Sequence, residues 1–213
     1  MAKARLHLVL IVLTTLPVPA LADHAQTRRG FWWSFGAGFG SAQARCDQCT
    51  SGNRVGSFSG TIRLGGTIGE HLLLGWEGSG WLKNDSGWLR TDVDVGRTLG
   101  NSSVIALYYP RAASGFFLKA GAGASYAGFP PANQPVDFCL AGTCYSLDEG
   151  AHGVGFGITV GLGYDLRIRP NLSLTPEFSF ALGLPRDLKE SGKSVATGWK
   201  HDIVALNLCL TFH

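Results

Sequence analysis

Residues 153–168 read Gly-Val-Gly-Phe-Gly-Ile-Thr-Val-Gly-Leu-Gly-Tyr-Asp-Leu-Arg-Ile, and the architecture turns on which way these side chains face. Val154, Phe156, Ile158, Val160, Leu162, Tyr164, Leu166 and Ile168 alternate with Gly155, Gly157, Thr159, Gly161, Gly163, Asp165 and Arg167. A period of two puts successive side chains on opposite faces of a strand. One face is then wholly apolar, and the other is glycine, hydroxyl and charge. A soluble sandwich fills its inner face with bulky side chains, which glycine cannot supply. A membrane barrel does the reverse, with bulk facing lipid and small or polar groups facing inward.

The same division spreads outward along the chain. Phe116, Leu118, Ala120, Ala122, Ala124 and Tyr126 oppose Lys119, Gly121, Gly123 and Ser125. Leu172, Leu174, Phe178, Phe180 and Leu182 oppose Ser173, Thr175, Glu177 and Ser179, with Pro176 expected to forfeit a ladder bond and mark a bulge. Phe58, Ile62, Leu64 and Ile68 oppose Ser57, Ser59, Thr61, Arg63 and Thr67; Leu72, Leu74 and Trp76 oppose Gly75, Glu77 and Ser79. Phe31, Trp33, Phe35 and Phe39 alternate with Ser34, Gly36, Gly38 and Gly40 to make a first strand, and a last strand covers roughly 199–212. In 91–109 the parity changes between Val93 and Val95 on one side and Val104, Ala106 and Tyr108 on the other. Either a bulge near Gly96 or Gly100 reconciles them, or Gly100-Asn101 is a turn and the strand count rises.

The connections alternate in length. Gly69 to His71, Pro110 to Gly115 and Arg169 to Asn171 are short, whereas 41–55, 83–90, 129–152 and 184–198 are long. In barrels of this kind short turns lie on the periplasmic side and long loops on the cell surface, so both termini are expected in the periplasm. Aromatics near the strand ends are expected to form two interfacial girdles: Trp32, Trp33, Tyr108, Tyr109, Phe116 and Phe117 at one end, and Trp81, Trp88, Tyr126, Phe129 and Trp199 at the other.

Residues 1–22 have the form of a secretory signal, with Lys3 and Arg5, an apolar run from Leu8 to Leu13, and Ala20-Leu21-Ala22 before Asp23. The run is too short, and too broken by Thr14, Thr15, Pro17 and Pro19, for a membrane-anchoring helix. A single domain of 23–213 follows, with no apolar stretch of about 18 residues that could span as a helix. With 30 glycines and 15% charged residues the composition suits either a barrel or a secreted sandwich, so facing and not composition separates them. The net charge of +3 is small and the basic residues are scattered, which excludes a nucleic-acid-binding stripe.

The chain ends Ile-Val-Ala-Leu-Asn-Leu-Cys-Leu-Thr-Phe-His over 203–213, with Val204, Leu206, Leu208, Leu210 and Phe212 on one face. This ending is similar to the carboxyl-terminal signature of outer-membrane barrels. Together with the signal peptide, the alternation and the loop asymmetry, it resembles the small OmpA/OmpX/OmpW-like barrels over the whole mature chain. The resemblance implies an all-β, antiparallel, up-and-down transmembrane barrel of about eight strands. It also implies a place among outer-membrane lipid and lipopolysaccharide, and dealings with the barrel-assembly machinery and periplasmic chaperones during biogenesis. Leu206, Leu208, Leu210 and Phe212 would be the assembly signal.

An eight-stranded barrel has an interior that side chains fill, so no open pore is expected. Arg63, Glu77, Lys119, Asp165, Arg167 and Glu177 all face inward, three basic and three acidic, which suggests a paired internal network rather than an ion pathway. Cys46, Cys49, Cys139 and Cys144 fall in long loops, where the close pairs are natural disulfides in an oxidising compartment. Four cysteines permit three connectivities, so a cross-link between loops stays open. Zinc or redox chemistry has no supporting context, and no cofactor or metal is expected. Cys209 falls on the inward face of the last strand as a free core residue.

Some small barrels in this neighbourhood modify lipids, and His201 with Asp202 near the mouth of the last strand is the pair to nominate. No serine elbow accompanies them, and a histidine there reads more simply as polar rim. Asp92 and Asp94 could hold a cation but read as solvated strand-end acids. Gly121-Ala122-Gly123 and Gly161-Leu162-Gly163 precede no helix, so they are not dinucleotide loops. The expectation is a non-enzymatic membrane protein with a structural or loop-presenting role, ahead of a lipid-modifying enzyme or a conduit for small hydrophobic molecules.

Overall fold

A computed structural model describes residues 28–47, 53–83, 97–129, 136–140, 143–147 and 150–213. The strands are β1 (Phe31–Arg45), β2 (Val55–Gly69), β3 (Leu72–Lys83), β4 (Arg97–Tyr108), β5 (Phe116–Phe129), β6 (Val136–Leu140), β7 (Thr143–Leu147), β8 (Ala151–Tyr164), β9 (Leu166–Arg169), β10 (Leu172–Glu190) and β11 (Lys193–Phe212). Each of β1 to β4 pairs with the next, β5 pairs with β8, β8 with β10, β10 with β11, and β11 returns to β1. The ring therefore closes on eight antiparallel strands, and closure leaves no unpaired edge. β9 prolongs β8 along β10, and β6 with β7 forms a separate hairpin inside the 129–152 connection.

Facing follows the alternation. Val154, Phe156, Ile158, Val160 and Leu162 point outward and are exposed, while Thr159 is buried inside. Phe39, Phe58, Val104, Val154 and Leu206 are all more than half exposed, in a band that encircles the ring. Such an apolar belt is costly in water and is what hydrocarbon accepts. The glycines of the opposite face are hollows for larger neighbours. A Cβ on Gly36 would collide with the Cys209 sulfur, and one on Gly163 would lie 2.5 Å from Phe117 Cζ.

Gly100-Asn101 is not a turn. β4 runs straight through it, with Gly80 opposite Gly100 and Ser79 opposite Asn101, so the count stays at eight. Val93 and Val95, with Trp88, Asp92 and Asp94, lie outside the described residues, as do 1–27 with the signal-peptide boundary, and Cys49. Pro176 makes no bulge either. It keeps the register between Thr175–Cys209 and Glu177–Asn207, and the irregularity lies in the strand beside it, where Asp165 interrupts β8 and β9. Asp165 N–H turns aside to the Gly115 carbonyl at 2.9 Å, so the missing proline donor falls where the ladder is already open.

The 184–198 stretch is not a loop. β10 and β11 continue past the apolar band as a ladder to the Glu190–Lys193 pair. Ser191 (φ 45°) and Gly192 (φ 81°) both take left-handed conformations, as the mirror-image turn matching strand twist requires. Register shifts between Gly183 and Lys189 bend this projecting hairpin, around Arg186 at φ 69°.

The girdle expectation holds for four of its ten described members. Trp33, Tyr108, Phe116 and Tyr126 are exposed outward, but Trp32, Tyr109, Phe117, Trp81, Phe129 and Trp199 are buried. Parity explains the split, because Trp32 and Phe117 are sequence neighbours of outward Trp33 and Phe116 and must face the lumen. Trp32, Leu73, Ile105, Leu107, Tyr109 and Phe117 pack together inside the turn end. Trp81, Leu99, Phe129, Leu188, Trp199 and Ile203 belong to a larger cluster inside the loop end.

Candidate functional site: the filled interior

Between these two apolar clusters lies a charged layer. Arg63 on β2 and Glu77 on β3 are directly opposed, which puts both side chains into the lumen at one height. Lys119 enters from β5 and Glu177 from β10. Lys119 Nζ donates to Glu77 Oε2 at 2.5 Å and to Glu177 Oε1 at 2.7 Å; Arg63 Nη1 donates to Glu177 Oε2 at 2.5 Å, and Arg63 Nε is 3.8 Å from Glu77 Oε2. All four side chains are 1% exposed. Removing four charges from water is expensive, and mutual pairing with near-ideal hydrogen bonds is what offsets it. Gly161 makes the geometry possible, since a Cβ there would lie 3.2 Å from Lys119 Cε.

Asp165 and Arg167, expected in the same network, stand apart from these four, at the turn end. Asp165 Oδ1 accepts from Thr175 Oγ1 at 2.7 Å, and Oδ2 accepts from the Tyr109 hydroxyl at 2.9 Å. Arg28 Nη2 and His213 Nε2 approach the same carboxylate at 3.8 and 3.5 Å. Arg167 Nη1 donates to the Pro170 carbonyl at 3.3 Å. Arg28 also lies over the Tyr109 ring at 3.5 Å and donates to the carbonyls of Ala112 and Ser114. Burial first, then the Asp165 carboxylate, push the Tyr109 hydroxyl well above its ordinary range, so it stays protonated as a donor. The two layers are linked by hydroxyls: Thr175 to Thr211 at 3.0 Å, Thr211 to Ser34 at 3.0 Å, and Ser34 to Arg63 Nη2 at 3.5 Å.

Tyr109→Phe keeps the ring beneath Arg28 and removes one donor to a buried carboxylate. It is expected to lower stability by about 1.5–3 kcal/mol. Urea unfolding of the folded protein in detergent measures this, and an unchanged midpoint would show that Asp165 does not need the hydroxyl.

Periodicity assigns none of Arg28, Tyr109, Thr175, Thr211 and His213 to the Asp165 cluster, although it puts Thr175 on the inward face and gives Thr211 and Tyr109 the same inward parity. Arg28 and His213 lie outside the strands, where periodicity says nothing about facing. The carboxyl-terminal residues fall on the outward face as expected, with Leu206 and Leu208 exposed and Phe212 stacked on Trp33 at 4.2 Å between ring centres.

His201 is not rim. It is 1% exposed inside the barrel, seated in the hollow of Gly183, and neither ring nitrogen has a hydrogen-bonding partner among the described residues. Asp202, one residue on, faces the opposite side of the wall and pairs with Arg54. The alternation that builds the barrel thus separates the nominated pair. Cys209 is free and fully buried beside Arg63 Nη2, 3.2 Å away. Cys46 is disulfide-bonded, and Cys139 stands opposite Cys144 in the β6–β7 register. Gly121-Ala122-Gly123 and Gly161-Leu162-Gly163 both lie within ring strands.

Neither a protein-family model nor a curated protein matches the sequence. Solved structures do. Neisserial surface protein A is 16% identical with a TM-score of 0.50, over 87% of this chain and 98% of that one. A major outer-membrane protein of Thermus thermophilus is 14% identical with a TM-score of 0.49, over 86% of this chain and 98% of that one. Ail, the attachment invasion locus protein of Yersinia pestis, solved with the heparin analogue sucrose octasulfate, is 12% identical with a TM-score of 0.47, over 86% of this chain and 99% of that one. With the ring closure and the outward apolar band, the likeness to the neisserial protein gives this chain the fold of the small eight-stranded outer-membrane barrels.

Proposed function

We propose that the protein is an integral outer-membrane barrel, non-enzymatic and non-conducting, that presents its loop end to the exterior in a structural or surface-interaction role. The observation that carries this is the sealed interior: Trp32, Phe117 and Tyr109 fill the turn end, Trp81, Trp199 and Phe129 fill the loop end, and four paired charges occupy the layer between. A packed lumen has no water column for ions and no room for a substrate. Among the described residues, what remains accessible is the outer wall and the projecting β10–β11 hairpin.

In this reading the chain is exported by its first 22 residues, passes periplasmic chaperones and the barrel-assembly machinery, and inserts with Leu206, Leu208, Leu210 and Phe212 as the assembly signal. Short turns and both termini face the periplasm. The loop cysteines are oxidised as Cys46–Cys49 and Cys139–Cys144. Directly opposed antiparallel residues have Cα atoms about 4.5–5.5 Å apart, inside the range a disulfide spans, which supports the second pair.

The folded protein in planar bilayers is expected to give no sustained conductance. A steady open state would refute the sealed interior and favour a conduit.

A further inference from the structure

His201 stands on the inward face of β11, directly opposed by Ala44 of β1 and by Gly183 of β10. Trp199 and Ile203 flank it on the same face, and Ala42 and Ala181 oppose Ile203, so its surround belongs to the loop-end apolar cluster. The ring fills the hollow of Gly183, where a Cβ would overlap Nε2 and lie 2.9 Å from Ser125 Cβ. Polar side chains of that corner serve the backbone instead. Ser125 Oγ donates to the Phe156 carbonyl at 3.0 Å, and Asn101 Nδ2 donates to the carbonyls of Ile158 and Leu182 at 3.2 and 3.4 Å. Both imidazole nitrogens are left without a partner among the described residues.

No element packed against the ring brings it a carboxylate. On β11 itself Lys200 and Asp202 alternate to the outward face, Asp202 pairs with Arg54, and Arg45 of β1 stands outward opposite Lys200. Lys83 and Arg97, opposed on β3 and β4 at the mouth, are both cationic. Asp47, Arg186 and Asp187 line a cleft of about 510 Å³ with Lys200, and His201 is not among its walls. Glu77 and Glu177 lie in the layer below, committed to Arg63 and Lys119.

We propose that His201 is an acid-sensitive latch on the loop-end plug: when its ring takes up a proton, the Trp81–Trp199 cluster opens to water while the charged layer below stays closed. A neutral imidazole is tolerated in an apolar surround, whereas an imidazolium is a full charge with two donors to satisfy. A buried charge without a partner is strongly disfavoured, so the proton binds the open, hydrated form in preference to the closed one. Linkage then fixes the sign. The closed form is fully favoured above the ordinary histidine range, and each unit of pH below about 6.5 multiplies the open population by up to about tenfold. The inference rests on the sealed interior proposed above.

The full mature chain, labelled with 5-fluorotryptophan and inserted into phosphatidylcholine vesicles, is followed by fluorine NMR in light and heavy water. A solvent-isotope shift marks an indole that water reaches. At about pH 7.5, above the ordinary histidine range, no such shift is expected at Trp81 or Trp199. At about pH 5, below that range, both are expected to show it, while Trp32 in the turn-end cluster stays unshifted. H201L and H201Q cannot take up the proton and are expected to stay dry at both values. Heat-modifiable mobility reports folding separately, and should H201L fail to fold, H201Q carries the comparison. Dry Trp81 and Trp199 at about pH 5 in the unmodified chain, an acid response retained in the folded variants, or joint wetting of Trp32 would each overturn the latch. Wetting of Trp81 and Trp199 already at about pH 7.5 refutes the sealed interior itself.

Discussion

Glu177→Ala is expected to destabilise the barrel by about 3–5 kcal/mol, because it breaks a buried ion cluster from one side. Glu177 is the carboxylate shared by both cations, taking Arg63 on one oxygen and Lys119 on the other. Without it two buried positive charges face Glu77 alone. The remaining excess charge has no water to relax into. A double change, Glu177→Leu with Lys119→Met, removes one charge of each sign and should recover much of the loss, since replacing a buried pair is milder than orphaning one member. Urea unfolding in vesicles, followed by tryptophan emission, provides the comparison. If Glu177→Ala costs less than about 1 kcal/mol, within the range of solvent-exposed pairs, the layer is hydrated and the interior is not sealed.

Trp81→Ala should cost a similar amount, about 3–5 kcal/mol, as expected for deleting a buried tryptophan. Its ring is 2% exposed within the loop-end cluster, and its indole N–H donates to the Gly40 carbonyl at 3.1 Å. The variant loses apolar packing, leaves a carbonyl without its donor and opens a void below the mouth. Trp33→Ala is the useful contrast. Trp33 is 40% exposed and stacks on Phe212, so its removal costs mainly that stacking, about 0.5–1.5 kcal/mol. Equal costs for the two substitutions would contradict their opposite facing.

These two tryptophans show where the sequence was legible and where it was not. The lipid-facing band could be read directly, because hydrocarbon on one side and a narrow lumen on the other enforce strict alternation from Val154 to Ile168. Arg63, Glu77, Lys119 and Glu177 could be placed inside by the same parity. Nearness to strand ends suggests a girdle for Trp81 and Trp199, although Trp81 shares the parity of Glu77 and Trp199 that of Asn207. Residues beyond the bilayer obey no such rule. The 184–198 stretch looks like a loop because water on both sides of a projecting hairpin removes the demand for alternation, and Arg28 and His213 approach Asp165 from outside the strands. Cross-lumen pairing, such as Lys119 with Glu177, depends on ring order and register, which no single strand encodes.

The facing of β8 offers the most direct test of the membrane barrel. Spin labels placed singly at Val154, Phe156, Ile158, Val160 and Leu162, and at the inward Thr159, Ser103 and Ser125, in protein inserted into vesicles, report collision with dissolved oxygen, which concentrates in hydrocarbon. High oxygen accessibility is expected at the five outward positions of β8, and low accessibility at Thr159, Ser103 and Ser125. Reversed or absent alternation would contradict the membrane barrel.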